Sequence, residues 1–202
     1  MEHIVLAPGE AWRDASGRAA LVLRRGGIAL LPAEGVYGLH ALADHGAAVA
    51  RLQALKPRDP GKRFIGLIAD PGEIDRWAAP SPRASALARE HWPGALTLVL
   101  RAAPSIPESL RAPEGTVALR CPGNAFLRAV VQAAGGIVLS TSANEPGQDP
   151  AIRAEGALLD GVDLVVDQGE LSGIPSTVVS VEGDRVLVLR SGAVRLPGSR
   201  RE

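Results

Sequence analysis

Four cations fall within eight residues of a chain whose formal net charge is zero. In LKPRDPGKRF, residues 55–64, Lys56, Arg58, Lys62 and Arg63 stand among Pro57, Pro60 and Gly61, which stiffen and turn the backbone. The chain carries 22 Lys plus Arg against 22 Asp plus Glu, and both of its lysines lie in this loop. Ammonium and guanidinium groups at this density suit a polyanion such as a phosphate chain. Point charges and forked donors can there meet several anionic oxygens at once.

Other stretches supply the remaining parts of such a site. LPAEGVYGLH (31–40), VALRCPGN (117–124), LSTSANEPGQDP (139–150), GIPSTVVS (173–180) and VLRSG (188–192) each read as a strand joined to a turn or helix. They bring Arg120 and Arg190 as cations, and Ser140, Thr141, Ser142, Asn144, Ser176 and Thr177 as hydroxyl and amide groups. Small residues at Ser142, Ala143 and Gly147 let the backbone approach a ligand. Each feature also has a plainer reading. A Lys/Arg run in a Pro/Gly loop is a solvated turn, a strand-terminal arginine pairs with a surface carboxylate, and Ser-Thr-Ser-Ala-Asn caps a helix. Glu34 serves as a salt-bridge partner, Tyr37 as a half-buried ring with its hydroxyl bonded, and Trp92 as a cover for the core. The co-occurrence of these residues is what points to a ligand.

Several common chemistries are not written here. No G-x-x-x-x-G-K-S/T or G-x-G-x-x-G appears, so neither standard phosphate-binding loop is present. His3, His40, His45, His91 and Cys121 lack zinc spacing, and no G-x-S-x-G surrounds a serine. Neutrality argues against a broadly basic nucleic-acid surface while leaving room for a local basic cavity. The single Cys121 excludes an intramolecular disulfide and suits a reducing compartment. No secretory signal is visible, and no apolar run reaches the roughly 20 residues needed to span a bilayer. The expectation is a cytoplasmic protein with no membrane partner.

The elements that must position these residues can be read from periodicity and punctuation. Helices are predicted over 10–25 and 47–56, from Ser81 with Pro82 at the first position to a Pro93-Gly94 stop, and over NAFLRAVVQAAGG. Strands are predicted at 27–32, 64–69, ALTLVLR, TVALRCP, 136–140, VDLVVDQG, STVVSVEG and RVLVLRSG. GVYGLH and ALADHG read as loop and turn, and RLPGSRRE as a frayed tail. Alternating strands and helices followed by extra strands imply one mixed α/β sheet with helices packed against it.

The motifs in order resemble the YrdC/TsaC family of threonylcarbamoyl-AMP synthases, from about Ala11 to Val194. They are Pro32-Ala33-Glu34-Gly35-Val36-Tyr37-Gly38-Leu39, Lys56-Pro57-Arg58, and Trp92-Pro93-Gly94-Ala95-Leu96-Thr97-Leu98. Arg120-Cys121-Pro122, Ser142-Ala143-Asn144 with Gly147, Ser176-Thr177-Val178 and Leu189-Arg190-Ser191-Gly192 follow. The resemblance implies a single YrdC-like domain over 1–202, with its core at about 11–194 and a tail at 195–202. Its fold would be a twisted mixed open sheet with flanking helices around a basic cavity. It implies synthesis of threonylcarbamoyl-adenylate and pyrophosphate from L-threonine, bicarbonate and ATP with Mg²⁺. The product would serve a downstream tRNA-modifying transferase complex, with RNA contact. By resemblance, Lys56 and Arg58 bind the ATP phosphates and carry the catalytic charge. Thr116, Ser142, Asn144 and Arg190 complete the nucleotide site, and Arg120, Ser140 and Ser176 hold threonine, Arg120 through its carboxylate. Metal ligands are not identified. Ala33 and Gly35 stand where the family has threonines, and Arg63-Phe64 where it has Pro-Leu; these changes fall on the threonine side more than on the nucleotide side. A nucleotide- or RNA-binding module of the same fold, without threonine-dependent turnover, is the alternative that the sequence leaves open.

Overall fold

The aliphatic runs of the sequence lie side by side in one broad sheet. The computed structural model describes residues 1–6, 12–56, 64–145, 147–157, 160–196 and 200–201. Lys56 is among them; Arg58, Lys62 and Arg63 lie outside the described residues. In chain order the elements are β1 (Glu2–Val5), α1 (Arg13–Arg24), β2 (Ala29–Pro32), β3 (Tyr37–Leu42), α2 (Gly46–Leu55) and β4 (Ile65–Leu67). Next come α3 (Ile74–Trp77), β5 (Ala78–Ala79), α4 (Pro82–His91), β6 (Leu96–Ala102), β7 (Thr116–Arg120) and α5 (Ala125–Ala134). The chain continues with β8 (Val138–Ser142), β9 (Leu164–Asp167), β10 (Thr177–Glu182), β11 (Arg185–Arg190) and β12 (Arg200–Arg201).

The strands are ordered β1-β9-β2-β3-β8-β4-β7-β6-β10-β11-β12, with β5 paired to β6. Parallel and antiparallel pairs mix: β3–β8 and β8–β4 are antiparallel, whereas β4–β7 and β6–β10 are parallel. This is the mixed α/β sheet with flanking helices that the sequence implied. Helix boundaries follow local chemistry. Ser81 Oγ accepts from Ala84 N and Pro82 opens α4. Asn124 Oδ1 accepts from Leu127 N at the start of α5, and Gly135 ends it at φ 77°, where a side chain would be strained.

Side chains alternate across a strand, and the two faces of the sheet are covered unequally. One core joins Leu39, Leu98, Leu119, Leu139 and Val179 of the sheet to Val49 and Leu52 of α2 and Leu87 of α4. The other joins Leu31, Leu67, Val138 and Val166 to Leu23 of α1 and to Phe126, Leu127 and Val130 of α5. Fully burying each such side chain contributes about 1.5–3 kcal/mol. Beyond the second core, the alternate residues Ile65, Val99, Thr116, Ala118, Ser142 and Val178 stay half-buried. One row of paired positions crosses this region: His40 opposite Ser140, Ser140 opposite Ile65, Ile65 opposite Ala118, and Ala118 opposite Val99.

Three expectations are corrected. The segment read as loop and turn at 35–46 contains β3, which pairs with both β2 and β8. Gly38 and His40 interrupt its aliphatic pattern, yet both belong to the strand's second face. Strand β8 continues past Ser140 to Ser142, so Ser-Thr-Ser forms strand rather than a helix cap. The tail is not wholly frayed, because Arg200 and Arg201 pair with Leu187 and Val188 of β11. Glu2–Val5, unassigned from sequence, pairs in parallel with β9.

Candidate active site

Two adjoining cavities open on the half-covered face. The narrower one, about 70 Å³, is lined by Ala33, Val36, Tyr37, Arg120, Pro175 and Ser176 among others. The wider one, about 440 Å³, includes Val99, Glu114, Thr116, Ala118, Val178 and Leu189. Ile65, Ser140, Thr141, Ser142 and Arg190 line both. The sheet thus brings all three residues expected to hold threonine to the narrow cavity. Thr116, Ser142 and Arg190 come to the wide one.

Arg120 ends β7 and is only 5% exposed. Its Nη2 lies 3.3 Å from Glu34 Oε2, while its Nε has no hydrogen-bond partner among the described residues. Glu34 is held in turn by Gly123 N, which donates to Oε1 at 2.7 Å. The plainer reading of Glu34 as an ion-pair partner therefore holds, and the pair lies at the cavity rather than on the surface. Ser140 Oγ lies 3.2 Å from His40 Nε2. Ser176 Oγ lies 2.9 Å from Thr97 Oγ1 and accepts from Arg190 Nη2 at 3.1 Å. Arg190 also donates through Nε and Nη2 to Ser176 O. Gly192 permits this approach, since a Cβ there would lie 2.3 Å from Pro175 O.

Lys56, at the end of α2, is buried and turned toward the loop after β8. Its Nζ donates to Ser142 O, and to Ser142 Oγ and Asn144 Oδ1 at 3.0 Å each. Asn144 Nδ2 donates onward to Gln148 O at 2.6 Å. The lysine thereby ties together two of the predicted nucleotide contacts. Thr116 Oγ1 donates to Glu114 Oε1 at 2.8 Å at the rim of the wide cavity.

The electrostatics favour an anion. Burial holds the Arg120 guanidinium below its ordinary pKa, against the opposing pull of Glu34. Burial does the same to Arg190, and the positive charge of Arg120 lowers it further. Two like charges that feel each other, Arg120 buried and Arg190 at the exposed end of β11, are relieved by a negative ligand. Burial, and then Arg120, push His40 down to about 3, so its ring is neutral at ordinary pH. Tyr37 is fully rather than half-buried, and burial raises its pKa. Its hydroxyl lies 2.9 Å from Asp167 Oδ1 and 2.8 Å from Gly169 O, so it ties β3 to the end of β9. Burial lifts the Cys121 thiol to about 11, which leaves it unreactive at neutral pH. Among the described residues no His/Cys/Asp/Glu group is placed to hold a metal ion. No helix among them is long and apolar enough to cross a membrane.

The departures at 33 and 35 now have surroundings. A Cβ on Gly35 would lie 2.1 Å from Ile174 O and 2.7 Å from Ser172 Oγ, and Gly173 N donates to Gly35 O at 2.8 Å. The segment 172–174 fills the space a threonine at 35 would need. Sequence reasoning gave no site role to His40 or Thr97. His40 was hidden because its segment read as loop, and Thr97 because it read as one more strand residue.

A family model, Sua5/YciO/YrdC, with the description "Telomere recombination", matches residues 21–192. The chain belongs to this family. It is 34% identical over 179 residues to the threonylcarbamoyl-AMP synthase of Alkalilimnicola ehrlichii, covering 84% of this chain and 93% of that protein. It is also 34% identical to the threonylcarbamoyl-AMP synthase of Bacillus subtilis, covering 88% of this chain and 53% of that one. Among solved structures, Sua5 of P. abyssi complexed with L-threonine superposes with TM-score 0.91 and 26% identity over 100% of this chain. This chain spans 63% of that Sua5 chain.

Proposed function

We propose that the protein is a threonylcarbamoyl-AMP synthase, a nucleotidyltransferase that converts L-threonine, bicarbonate and ATP to threonylcarbamoyl-adenylate and pyrophosphate. The observation that carries this reading is Arg120: a buried guanidinium at a small cavity, with its Nε–H unpaired among the described residues. A carboxylate meets that donor with a charge-assisted hydrogen bond, and Ser140 and Ser176 are at hand for the remaining polar groups of an amino acid. The wider cavity beside it suits the nucleotide: Thr116, Ser142 and Arg190 line it, and Asn144, which does not, is tied to Ser142 through Lys56. Lys56 and Arg58 are assigned to the phosphates, Arg58 on the K-x-R spacing alone. The relatives' names and the L-threonine in the Sua5 structure support the same substrate.

The chemistry asks little covalent work of the protein. The amine of threonine condenses with bicarbonate, forming the N–C bond of a carbamate and releasing water. A carbamate oxygen then attacks the α-phosphorus, and the bond to the leaving pyrophosphate breaks. Both reactants are anions, so their approach is repulsive and fixed cations must offset it. Arg120 anchors one and Arg190, shared by both cavities, stands where the two meet; catalysis is positioning and charge neutralisation. With Glu114 the acidic group lining the wide cavity, Mg²⁺ would be held mainly through the triphosphate, where it adds charge neutralisation. We take residues 1–202 as one domain, acting in the cytoplasm and passing its product to a tRNA-modifying transferase.

The test is pyrophosphate release from ATP, Mg²⁺ and bicarbonate, with and without L-threonine. Release that requires threonine and is lost in Arg120→Ala, with ATP still bound, is the expected result. Bound ATP without threonine-dependent release in the unaltered protein would reduce the chain to a nucleotide-binding module.

A further inference from the structure

We infer that His40 is a positioning residue for the amino acid: it fixes the Ser140 hydroxyl in one orientation toward the narrow cavity. The inference rests on the assignment of threonine to Ser140. His40 and Ser140 face each other directly in the antiparallel register of β3 and β8, where opposed side chains are in contact range. Nε2 and Oγ are 3.2 Å apart, with His40 fully buried and Ser140 6% exposed. Ser140 lines both cavities whereas His40 lines neither, so the ring stands behind the hydroxyl.

The backbone holds the ring in place. A Cβ on Gly38 would lie 3.0 Å from His40 Cε1 and 3.0 Å from Thr141 O, so the glycine makes room for an imidazole lying across it. Gly38 occurs in mid-strand, where glycine is normally unfavourable, and this close approach accounts for it. The ring does not serve as a base. Burial and the nearby Arg120 both oppose its cationic form, so it offers one donor and one acceptor. At Nε2 it either gives or takes one hydrogen bond. Either way one function of the Ser140 hydroxyl is used, its rotor is fixed, and the complementary function is left for the cavity. A preset hydroxyl does not have to be ordered when ligand binds.

The experiment is a double-mutant cycle read by calorimetry on the full chain, with threonine titrated in the presence of a non-hydrolysable ATP analogue. His40→Leu is expected to weaken threonine about five- to tenfold, the range of one neutral hydrogen bond. His40→Gln, whose amide can reach Oγ, recovers most of that loss. In a Ser140→Ala background, His40→Leu adds nothing further, and adding His40→Leu to either background leaves affinity for the analogue where it was. Additive losses in the double variant, or equal weakening of both ligands, would make His40 a packing residue and overturn the inference. If the unaltered protein binds threonine and His40→Leu binds it equally well, this inference alone falls. If the unaltered protein binds no threonine, the threonine assignment falls and this inference with it. Should His40→Leu fail to fold, His40→Asn, whose shorter amide stops short of Oγ, takes its place in the cycle.

Discussion

Arg120 takes a full charge into the interior, where Glu34 at 3.3 Å offsets part of its desolvation. Removing that partner leaves the guanidinium buried and uncompensated. Glu34→Ala is therefore expected to lose about 3–5 kcal/mol in chemical denaturation. Saturating threonine should restore part of this, because the substrate carboxylate supplies a replacement anion; a loss that threonine leaves untouched would count against Arg120 as its anchor. Gly35 makes the opposite point, since what matters there is the lack of a side chain. Gly35→Thr drives a Cβ to within 2.1 Å of Ile174 O. The expected cost is about 1–3 kcal/mol of overpacking, with threonine-dependent pyrophosphate release reduced more than ATP binding.

Strand β3 and helix α5 show how an element transmits to the site. The neutral ring of His40 on β3 makes stability depend on pH. Its folded pKa, about 3, lies below the unfolded value near 6.5. Between these values the unfolded chain binds a proton that the folded chain does not, so stability falls as pH drops through that window. The slope reaches about 1.4 kcal/mol per pH unit. Denaturation curves of the unaltered protein and His40→Gln at pH 7 and pH 5 should diverge, the variant losing less on acidification. For α5, Asn124 accepts from Leu127 N and donates through Nδ2 to Ala33 O at 3.3 Å. Asn124→Ala is expected to cost about 1 kcal/mol through the lost cap. It should also raise the KM for threonine, since Ala33 lines the narrow cavity.

At the scale of the molecule, the site is the part of one sheet face that α1 and α5 leave uncovered. Cations gathered there, Arg120 buried and Arg190 more exposed, make the folded state the form that prefers anions. Pyrophosphate at about 100 times its Kd should therefore stabilise the protein by about 2.7 kcal/mol, a rise in Tm of roughly 5–10 °C for a chain of this size. Sodium chloride at matched ionic strength should give little of this. Equal shifts from both salts would mean general screening rather than a phosphate site.

The sequence by itself determined much of this protein. The Ser81 start with Pro82, the Pro93-Gly94 stop and the aliphatic runs mark elements by local chemistry, and local chemistry is written in neighbouring residues. The ordered motifs likewise named the family and brought forward Lys56, Arg120, Ser140, Ser142, Ser176 and Arg190, which the fold gathers at one place. Only the tertiary structure decided how those residues are used. His40 and Ser140 are 100 positions apart and meet through β3, a strand disguised by Gly38 and His40. Lys56 and Asn144, 88 positions apart, meet through the turn after β8. Gly35 admits no side chain because Ile174 O lies against it. Such pairings are set by strand order and register, which arise from packing the whole sheet; spacing along the chain does not carry them.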